Sequence, residues 1–293
     1  MPELPEVETV RLGLDRHASG KIIKSLAVLH NRATNPNSIA PLNSIIGSKI
    51  LGVNRRGKFL WFELNREVVL VAHLGMSGQF QFKKQGSAPL PHTRALLNLG
   101  KSDLHFIDQR TFGWLSVEET IEGIPSSARH IALDPFDPRF DLDSVIEKYL
   151  YRKTEVKKVL LNQEVMSGVG NIYADEALWY ARINPMQSCE KLNSTQIKNI
   201  ITAAKKVMAK SLKSGGTSFD DLYVNVNGES GYFERSLAVY GQEGEPCRRC
   251  GSAIRRVAFA NRSSHFCPKC QPLPRGRAIK TKRQIKSGRS DFR

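Results

Sequence analysis

The order of apolar and polar positions changes character twice along the chain. Val7, Val10 and Leu14 share one face of a helix, so residues 5–18 are predicted to form a short amphipathic helix. From about residue 20 to 118 the apolar residues fall instead in short runs such as KFLWFEL and EVVLVAHL. Glycine, asparagine and polar residues separate these runs at regular intervals, as the strands of a sandwich or barrel require. The first part of the chain is therefore predicted to be β-rich.

Helical spacing returns in the second part. Three helical segments are predicted there: parts of residues 141–163, the stretch after Asn171, and residues 194–214. Asn171 is expected to be the N-cap of its helix, because asparagine is a favoured capping residue. Asp175 and Glu176 follow it and are expected near the positive end of the helix dipole.

The fold class predicted from these patterns is a multidomain α+β protein. Its 293 residues are enough to bury a sizeable core. The expected parts are an N-terminal β-sandwich domain with flanking helices (2–130), an interdomain linker (131–141), a helical domain (142–246), a four-cysteine zinc hairpin (247–271) and a disordered basic tail (272–293).

Composition and charge narrow the function. A hydrophobic content of 40% and a mean hydropathy of −0.35 are typical of a globular protein, and no apolar run is long enough to span a membrane. The N-terminus is acidic and contains prolines, whereas a signal peptide begins with positive charge and an apolar stretch, so a cytoplasmic location is expected. The 44 Lys and Arg residues exceed the 28 Asp and Glu, giving a formal net charge of +16. Such a charge indicates a polyanionic partner, of which nucleic acid is the commonest.

Four of the five cysteines form two Cys-x-x-Cys pairs, Cys247 with Cys250 and Cys267 with Cys270. This spacing predicts one tetrahedral Zn²⁺ bound by four thiolates on a β-hairpin, and it disfavours four unrelated reduced thiols or disulfides. Because four thiolates leave no open position on the metal, the zinc is expected to serve folding rather than catalysis.

The N-terminus offers a candidate nucleophile. If Met1 is removed, Pro2 carries a secondary amine whose reference pKa of about 8 leaves part of it unprotonated at neutral pH. Such an amine can attack an aldehyde-like sugar carbon, and Glu3 or Glu6 can transfer protons in that step. Taken alone, the same residues are better explained as an acidic helix start with a proline.

Six segments together decide between these interpretations. They are PELPEVET (2–9), RRGKFLWFEL (55–64), AHLGMSGQF (72–80), DQRTFGW (108–114), SGVGNIYADEALW (167–179) and FANRSSHFCPKCQ (259–271). In this order, they closely resemble the bacterial formamidopyrimidine-DNA glycosylases, and the resemblance spans residues 2–271. The resemblance implies that the helical domain at 142–246 is a helix-two-turn-helix DNA-binding domain, with residues 167–171 at its turn.

The resemblance implies a catalytic role for five residues. Pro2 matches the nucleophile that forms a Schiff base at the deoxyribose C1′, and Glu3 matches the acid that helps to open the sugar. Glu6 matches a supporting carboxylate. Lys58 matches the proton donor and phosphate contact of β-elimination, and Arg262 matches the residue used in δ-elimination.

The resemblance also implies groups that contact the DNA. Met76, Arg110 and Phe112 match the residues that fill the space left when a nucleotide is extruded from the duplex. The loop at 217–225 matches the segment that closes over the extruded base. The further DNA contacts expected are His92, Arg110, Arg152, Lys153, Lys157 and Asn171.

The expected function is therefore that of a bifunctional DNA glycosylase and abasic-site lyase. It would act as a monomer with one structural Zn²⁺ on double-stranded DNA containing 8-oxoguanine, formamidopyrimidines or abasic sites, in association with the nucleoid. Three alternatives stay open at this point. They are an endonuclease VIII-like enzyme for oxidised pyrimidines, a catalytically silent protein that binds damaged DNA, and a zinc-ribbon RNA-binding protein, which would lack PELPEVET.

The sequence departs from the family pattern in four places. Arg94 replaces the second histidine of a His-x-His pattern, and Asn261 stands where glycine is usual. Residues 30–44 lack an arginine-rich pattern often found there. The extra tail from residue 272 carries eight basic residues and one acidic residue, and it is expected to supply non-specific DNA affinity.

Overall fold

The computed structural model describes residues 2–215 and 236–276. Their contacts divide them into two compact units. The first unit contains residues 2–145, 160–170, 205–215 and 236, and the second contains residues 146–159, 171–204 and 237–276. The domain boundaries expected from the sequence stay predictions.

The chain enters the first unit through helix α1 (Leu4–Ala18), which confirms the predicted N-terminal helix. Pro5 lies in the first turn of the helix. Backbone N–H groups in this turn have no intrahelical acceptor, so the N–H that proline lacks costs the helix no hydrogen bond. Val7, Val10 and Leu14 are buried in the core of the unit, as their spacing predicted.

Nine antiparallel strands follow in the described part of the first unit. They are β1 (Ser25–Val28), β2 (Ile50–Arg56), β3 (Phe59–Leu64), β4 (Val68–His73), β5 (Gly78–Lys84), β6 (Thr93–Asn98), β7 (Ser102–Asp108), β8 (Trp114–Ile121) and β9 (Ile124–Pro125). One sheet has the strand order β2-β3-β4-β8-β9 and the other β1-β6-β7-β5. The β-sandwich expected from the alternating pattern is therefore confirmed, and it brings the β4–β5 and β7–β8 connections next to each other.

The apolar side chains of both sheets meet in one core. Phe62 on β3, Phe80 on β5 and Phe106 on β7 are at most 1% exposed. The rings of Phe62 and Phe80 lie 6.0 Å apart, and those of Phe80 and Phe106 lie 5.1 Å apart. Each such side chain contributes about 1.5–3 kcal/mol through burial, so the sandwich is a stable support for the loops at its edge.

Four α-helices lie in the rest of the described chain. They are α2 (Leu142–Leu150), α3 (Val156–Leu160), α4 (Asn171–Ala181) and α5 (Ser194–Lys213). The helical run predicted over 141–163 is interrupted because residues 154–156 pair with 187–189 instead. Glu155 and Ser188 form an antiparallel bridge, which the local spacing of apolar residues does not reveal.

A two-stranded hairpin of β10 (Arg255–Phe259) and β11 (Arg262–Phe266) lies between the two cysteine pairs, as predicted. Ala260 in its turn has a positive φ of 50°, whereas Asn261 does not. The Asn261 departure therefore stands at a position that does not need glycine. The 217–225 loop and the tail beyond residue 276 lie outside the described residues.

No helix in the described part of the chain is long and apolar enough to cross a membrane.

Candidate functional site

Two buried carboxyl groups stand at the start of α1. Glu3 is 2% exposed and Glu6 is 4% exposed, and Pro2 beside them is also buried. The backbone N–H of Glu3 donates to Oε2 of Glu6 over 2.9 Å. Glu6 therefore fixes the backbone beside Pro2, as the capping-box arrangement of the first helical turn requires.

A glycine-rich segment packs directly on these acids within the first unit. Leu4 N–H donates to the carbonyl of Gly168 over 3.0 Å, and Gly170 N–H donates to Oε2 of Glu3 over 2.7 Å. A Cβ atom at Gly170 would lie 2.2 Å from Cδ of Glu3, so only glycine fits beside the carboxyl group in this position.

Lys58 reaches the same peptide unit from the other side. Its Nζ donates a hydrogen bond to the carbonyl oxygen of Val169 over 3.3 Å. This carbonyl group belongs to the same peptide bond as the N–H of Gly170, which donates to the Glu3 carboxyl group. The structure thus brings together an acid and an ammonium group, which the chain places 55 residues apart, at the two ends of one peptide bond.

His73 at the end of β4 is a functional candidate that was missed at the sequence level. Burial and the neighbouring ammonium of Lys58 lower the pKa of His73 to about 4. The ring is therefore neutral at pH 7, and its Nδ1 accepts a hydrogen bond from Gly75 N–H over 3.2 Å. In the sequence, the feature that points to His73 is its position in the segment AHLGMSGQF, directly before the loop that contains Gly75.

Arg55 supports the turn that carries Lys58. Its guanidinium bonds to Glu8 over 2.8 Å, to Asp134 over 2.9 Å and to the carbonyl of Gly57 over 2.9 Å. Burial opposes the ionisation of Glu8, but hydrogen bonds from Arg11 and Arg55 outweigh it and lower the pKa of the Glu8 carboxyl group. Both Arg55 and Glu8 are thus engaged in a partly buried ionic network that holds the turn.

Two loops at the edge of the sandwich expose large side chains. Met76 is 39% exposed and Phe112 is 55% exposed, although both are apolar. Arg110 is exposed as well, and its guanidinium carbon lies 5.6 Å from the centre of the Phe112 ring. The structure brings these three predicted void-filling residues together at one surface.

His92 and Arg94 lie beside the same loops. His92 is exposed and has a positive φ of 63°. Arg94 donates through Nε to the carbonyl of Asp108 over 2.7 Å and through Nη2 to that of Gln109 over 3.4 Å. The arginine that replaces the usual histidine therefore braces the backbone directly before Arg110.

In the second unit, Lys157 contradicts its predicted role as a DNA contact. Its side chain is 0% exposed, with Nζ 2.6 Å from Oδ1 of Asp175 and 2.9 Å from the carbonyl of Ser263. An ammonium group removed from water must be paired, and this pair fulfils that need inside the unit. Arg152 and Lys153, by contrast, are exposed, so their predicted role is compatible with the structure.

Asn171 also differs from its prediction as a helix N-cap. It is the first residue of α4, and its Nδ2 donates to the carbonyl of Ser263 over 3.1 Å. The side chain thus contacts the zinc hairpin instead of capping the helix.

Arg262 is exposed at the beginning of β11. Residues that follow it in this strand are hydrogen-bonded to an acidic side chain of α4. Asp175 accepts hydrogen bonds from Ser264 Oγ and from His265 N–H, each over 2.8 Å. Glu176 accepts N–H donors from residues 238–240, and burial raises the pKa of its carboxyl group in spite of them. The two acids expected to interact with the helix dipole are therefore buried anchors for neighbouring segments.

The sulfur atoms of Cys247, Cys250, Cys267 and Cys270 all lie within 4.8 Å of one another. Four soft ligands at such mutual distances fit a closed tetrahedral Zn²⁺ site. The indole N–H of Trp179 points to Sγ of Cys247 over 3.4 Å, and such a donor stabilises a thiolate. The residues therefore fit the predicted metal.

We expect Cys267→Ser to reduce the zinc-to-protein ratio from one to nearly zero and to change the fluorescence of Trp179. Zinc binding by such hairpins contributes about 10 kcal/mol or more, which the small hairpin cannot replace by packing. Metal analysis and fluorescence, with Trp179→Phe to assign the signal, measure both effects. The control is Cys189→Ser, which alters a buried cysteine outside the cluster and should leave the ratio at one. A full zinc content in Cys267→Ser would contradict the four-thiolate site.

Comparison with protein families gives three consecutive matches. Residues 1–115 match the formamidopyrimidine-DNA glycosylase N-terminal domain, residues 131–222 match the formamidopyrimidine-DNA glycosylase H2TH domain, and residues 244–273 match the zinc finger found in FPG and IleRS.

Individual proteins resemble the chain over nearly its whole length. A formamidopyrimidine-DNA glycosylase of Rhodococcus jostii is 51% identical over 284 residues, covering 94% of this chain and 97% of the relative. One from Mycobacterium leprae is 50% identical, covering 94% and 100%. A solved complex of the Lactococcus lactis enzyme with abasic-site DNA has a TM-score of 0.86 at 32% identity, covering 92% of this chain and 100% of that one.

Proposed function

Because the chain belongs to the formamidopyrimidine-DNA glycosylase family, we propose that it removes oxidised purines from double-stranded DNA through covalent catalysis by Pro2. The protein is a DNA glycosylase of base excision repair and has one structural zinc site. The nucleophile, the lyase steps and the lesion range are the parts that we propose. The observation that supports these proposals is that Glu3, next to Pro2, and Lys58 are both hydrogen-bonded to the peptide group between Val169 and Gly170.

The first step needs the nucleophile and an acid together. The nitrogen lone pair of Pro2 attacks C1′, and the bond between C1′ and the damaged base breaks with its electron pair leaving on the base. The proton that the Pro2 nitrogen loses after the attack neutralises the departing base. The C1′–O4′ bond then opens, O4′ takes a proton from Glu3, and the nitrogen is left as an iminium. The position of Glu3 directly beside Pro2 supports this role, because a proton donor must lie within reach of the reacting atoms.

Strand cleavage follows from the iminium. Loss of a proton from C2′ sends electrons towards the iminium, and the 3′ phosphate leaves. Lys58 lies beside the acid and supplies positive charge for that phosphate, and Arg262 is assigned to the second, δ-elimination step, in which the 5′ phosphate leaves. Hydrolysis of the Schiff base returns the free amine of Pro2.

The remaining proposed contacts hold the duplex. Met76, Arg110 and Phe112 would fill the space vacated by the extruded nucleotide, and their joint exposure supports this. The proposed phosphate contacts are His92, Arg152, Lys153 and Asn171. A protein with this substrate works on the chromosome, and we therefore place it in the cytoplasm with the nucleoid, acting as a monomer.

Oxidised pyrimidines are a second candidate substrate. A wild-type Lactococcus lactis relative, 32% identical with a TM-score of 0.84, was solved in complex with DNA containing an oxidised pyrimidine. That complex makes oxidised pyrimidines a second candidate substrate class for this chain.

Borohydride trapping on a set of matched duplexes tests the function. We expect abundant protein–DNA adduct with 8-oxoguanine opposite cytosine and with a formamidopyrimidine, about tenfold less with an oxidised pyrimidine, and none with undamaged DNA. A reversed order of purine and pyrimidine would assign the endonuclease VIII-like preference. Tight binding of every lesion without adduct or strand cleavage would instead show a silent damage-binding protein.

A further inference from the structure

One buried carboxylate contacts both loops that carry the proposed void-filling residues. Asp108 is the last residue of β7 and is 0% exposed. From the first loop, Ser77 Oγ donates to its Oδ1 over 2.5 Å. From the second loop, Arg110 N–H donates to Oδ1 over 3.2 Å and Gly113 N–H donates to Oδ2 over 2.6 Å.

The two loops are also in direct backbone contact. A Cβ atom at Gly75, where φ is +58°, would lie 2.4 Å from the carbonyl carbon of Phe112. Arg110 N–H donates to Ser77 Oγ over 3.0 Å, and so links the loops a second time. Thr111 has a positive φ of 53°, which a β-branched residue adopts only when its surroundings enforce it.

We propose that Asp108 is the positioning residue of the void-filling group: it fixes the loop at 74–77 and the loop at 109–113 as one rigid body before DNA binds. Met76 and Phe112 then enter the duplex together, without the loss of loop entropy that two mobile loops would suffer on binding. The proposal rests on the proposed function, since it deepens the role given there to these side chains.

The chemistry of the site requires a carboxylate. Both oxygen atoms of Asp108 accept hydrogen bonds, and the three donors come from two different loops. An asparagine of the same shape would have one acceptor oxygen, and its NH₂ group would face an N–H or O–H donor. Asp108→Asn should therefore separate the loops from each other without changing the volume of the core.

Asp103 provides a matched control at the opposite end of the same strand. It is 3% exposed and accepts hydrogen bonds from Gly86 N–H over 2.7 Å and from Asn98 Nδ2 over 2.8 Å. Like Asp108, Asp103 is a buried aspartate that accepts hydrogen bonds through both of its carboxylate oxygen atoms, but its donors lie outside the two void-filling loops. Asp103→Asn therefore tests the effect of the same chemical change away from these loops.

The experiment compares two substrates. Excision of 8-oxoguanine from a duplex needs the void-filling group, whereas cleavage of a single-stranded abasic oligonucleotide has no duplex gap to fill. We expect Asp108→Asn to lower kcat for duplex excision by about 10- to 100-fold and to leave single-strand cleavage unchanged. Asp103→Asn should leave both unchanged. An equal loss on both substrates, or no loss on the duplex, would overturn the proposal.

Two further measurements keep the proposal testable. If Asp108→Asn does not fold, Ser77→Ala removes one donor and should produce a smaller loss with the same duplex selectivity; a loss on both substrates would again overturn it. Fluorescence of 2-aminopurine opposite a tetrahydrofuran abasic analogue reports side-chain insertion without catalysis. If the wild-type protein excised no lesion, the proposed function would fail, whereas a reduced fluorescence change in Asp108→Asn alone would still support the positioning role.

Discussion

Extension of the chain ahead of Pro2 should lower the yield of borohydride-trapped adduct, compared at equal short reaction times, by about 1,000-fold. This ratio of initial rates corresponds to roughly 4 kcal/mol in the activation barrier. The reason is that an amide nitrogen has no available lone pair with which to attack C1′. Retained Met1 or a short N-terminal extension would create such an amide. The yield is measured on an 8-oxoguanine:cytosine duplex with protein whose N-terminus has been verified by mass spectrometry.

The control for this prediction is the same extension placed after Arg293, which should leave the adduct yield unchanged. Pro2→Gly retains a terminal amine but loses the secondary amine and the fixed ring, so it should reduce the yield by a smaller factor of about tenfold. If the extended protein formed as much adduct as the native one, the nucleophile would be an amine other than that of Pro2, and Lys58→Gln would identify or exclude the nearest side-chain amine.

Gly170→Ala should lower the rate of lesion excision by about 100-fold while changing the melting temperature little. The new Cβ would lie 2.2 Å from Cδ of Glu3 and 2.5 Å from its Oε1. A side-chain carboxyl group can rotate away from this clash at small cost to the fold. It then loses the 2.7 Å hydrogen bond from the residue 170 N–H and no longer faces the sugar. Single-turnover excision and thermal denaturation measure the two effects.

A double-mutant cycle shows whether Gly170 acts through Glu3. If it does, Gly170→Ala in a Glu3→Gln background should cause no further loss, because the two changes remove the same interaction. Gly52→Ala is the matched control, since a Cβ there meets only Asp15 Oδ1 at 3.7 Å. Additive losses in the cycle would indicate that Gly170→Ala damages the site by another route.

The zinc hairpin and the sandwich strands could be predicted because their signals are local. Two Cys-x-x-Cys pairs place four thiolates at the ends of one hairpin whatever the rest of the chain does. In β6, buried and less buried residues alternate, which follows directly from the twofold repeat of a strand. The resemblance to the family then supplied roles for Pro2, Glu3 and Lys58 that no local pattern contains.

Lys157 and Asn171 show where prediction from sequence fails. Lysines in a basic segment are usually solvated, so the sequence predicts Lys157 as a DNA contact together with Arg152 and Lys153. Its burial depends on Asp175 and Ser263, which are 18 and 106 residues away in the sequence. Asn171 turns towards the carbonyl of Ser263 for the same reason, because a distant segment offers its side chain a partner.

The sequence by itself determined the order of β-rich, helical and zinc-binding parts, the metal ligands and the family. These depend on periodicity, spacing and motifs, which are properties of neighbouring residues. Only the tertiary structure decided that Glu3 and Lys58 share one peptide unit, that Lys157 is buried and that Asp108 joins two loops. Each of these contacts is made by residues distant in sequence, and its geometry exists only after the core has packed and fixed the backbone on both sides.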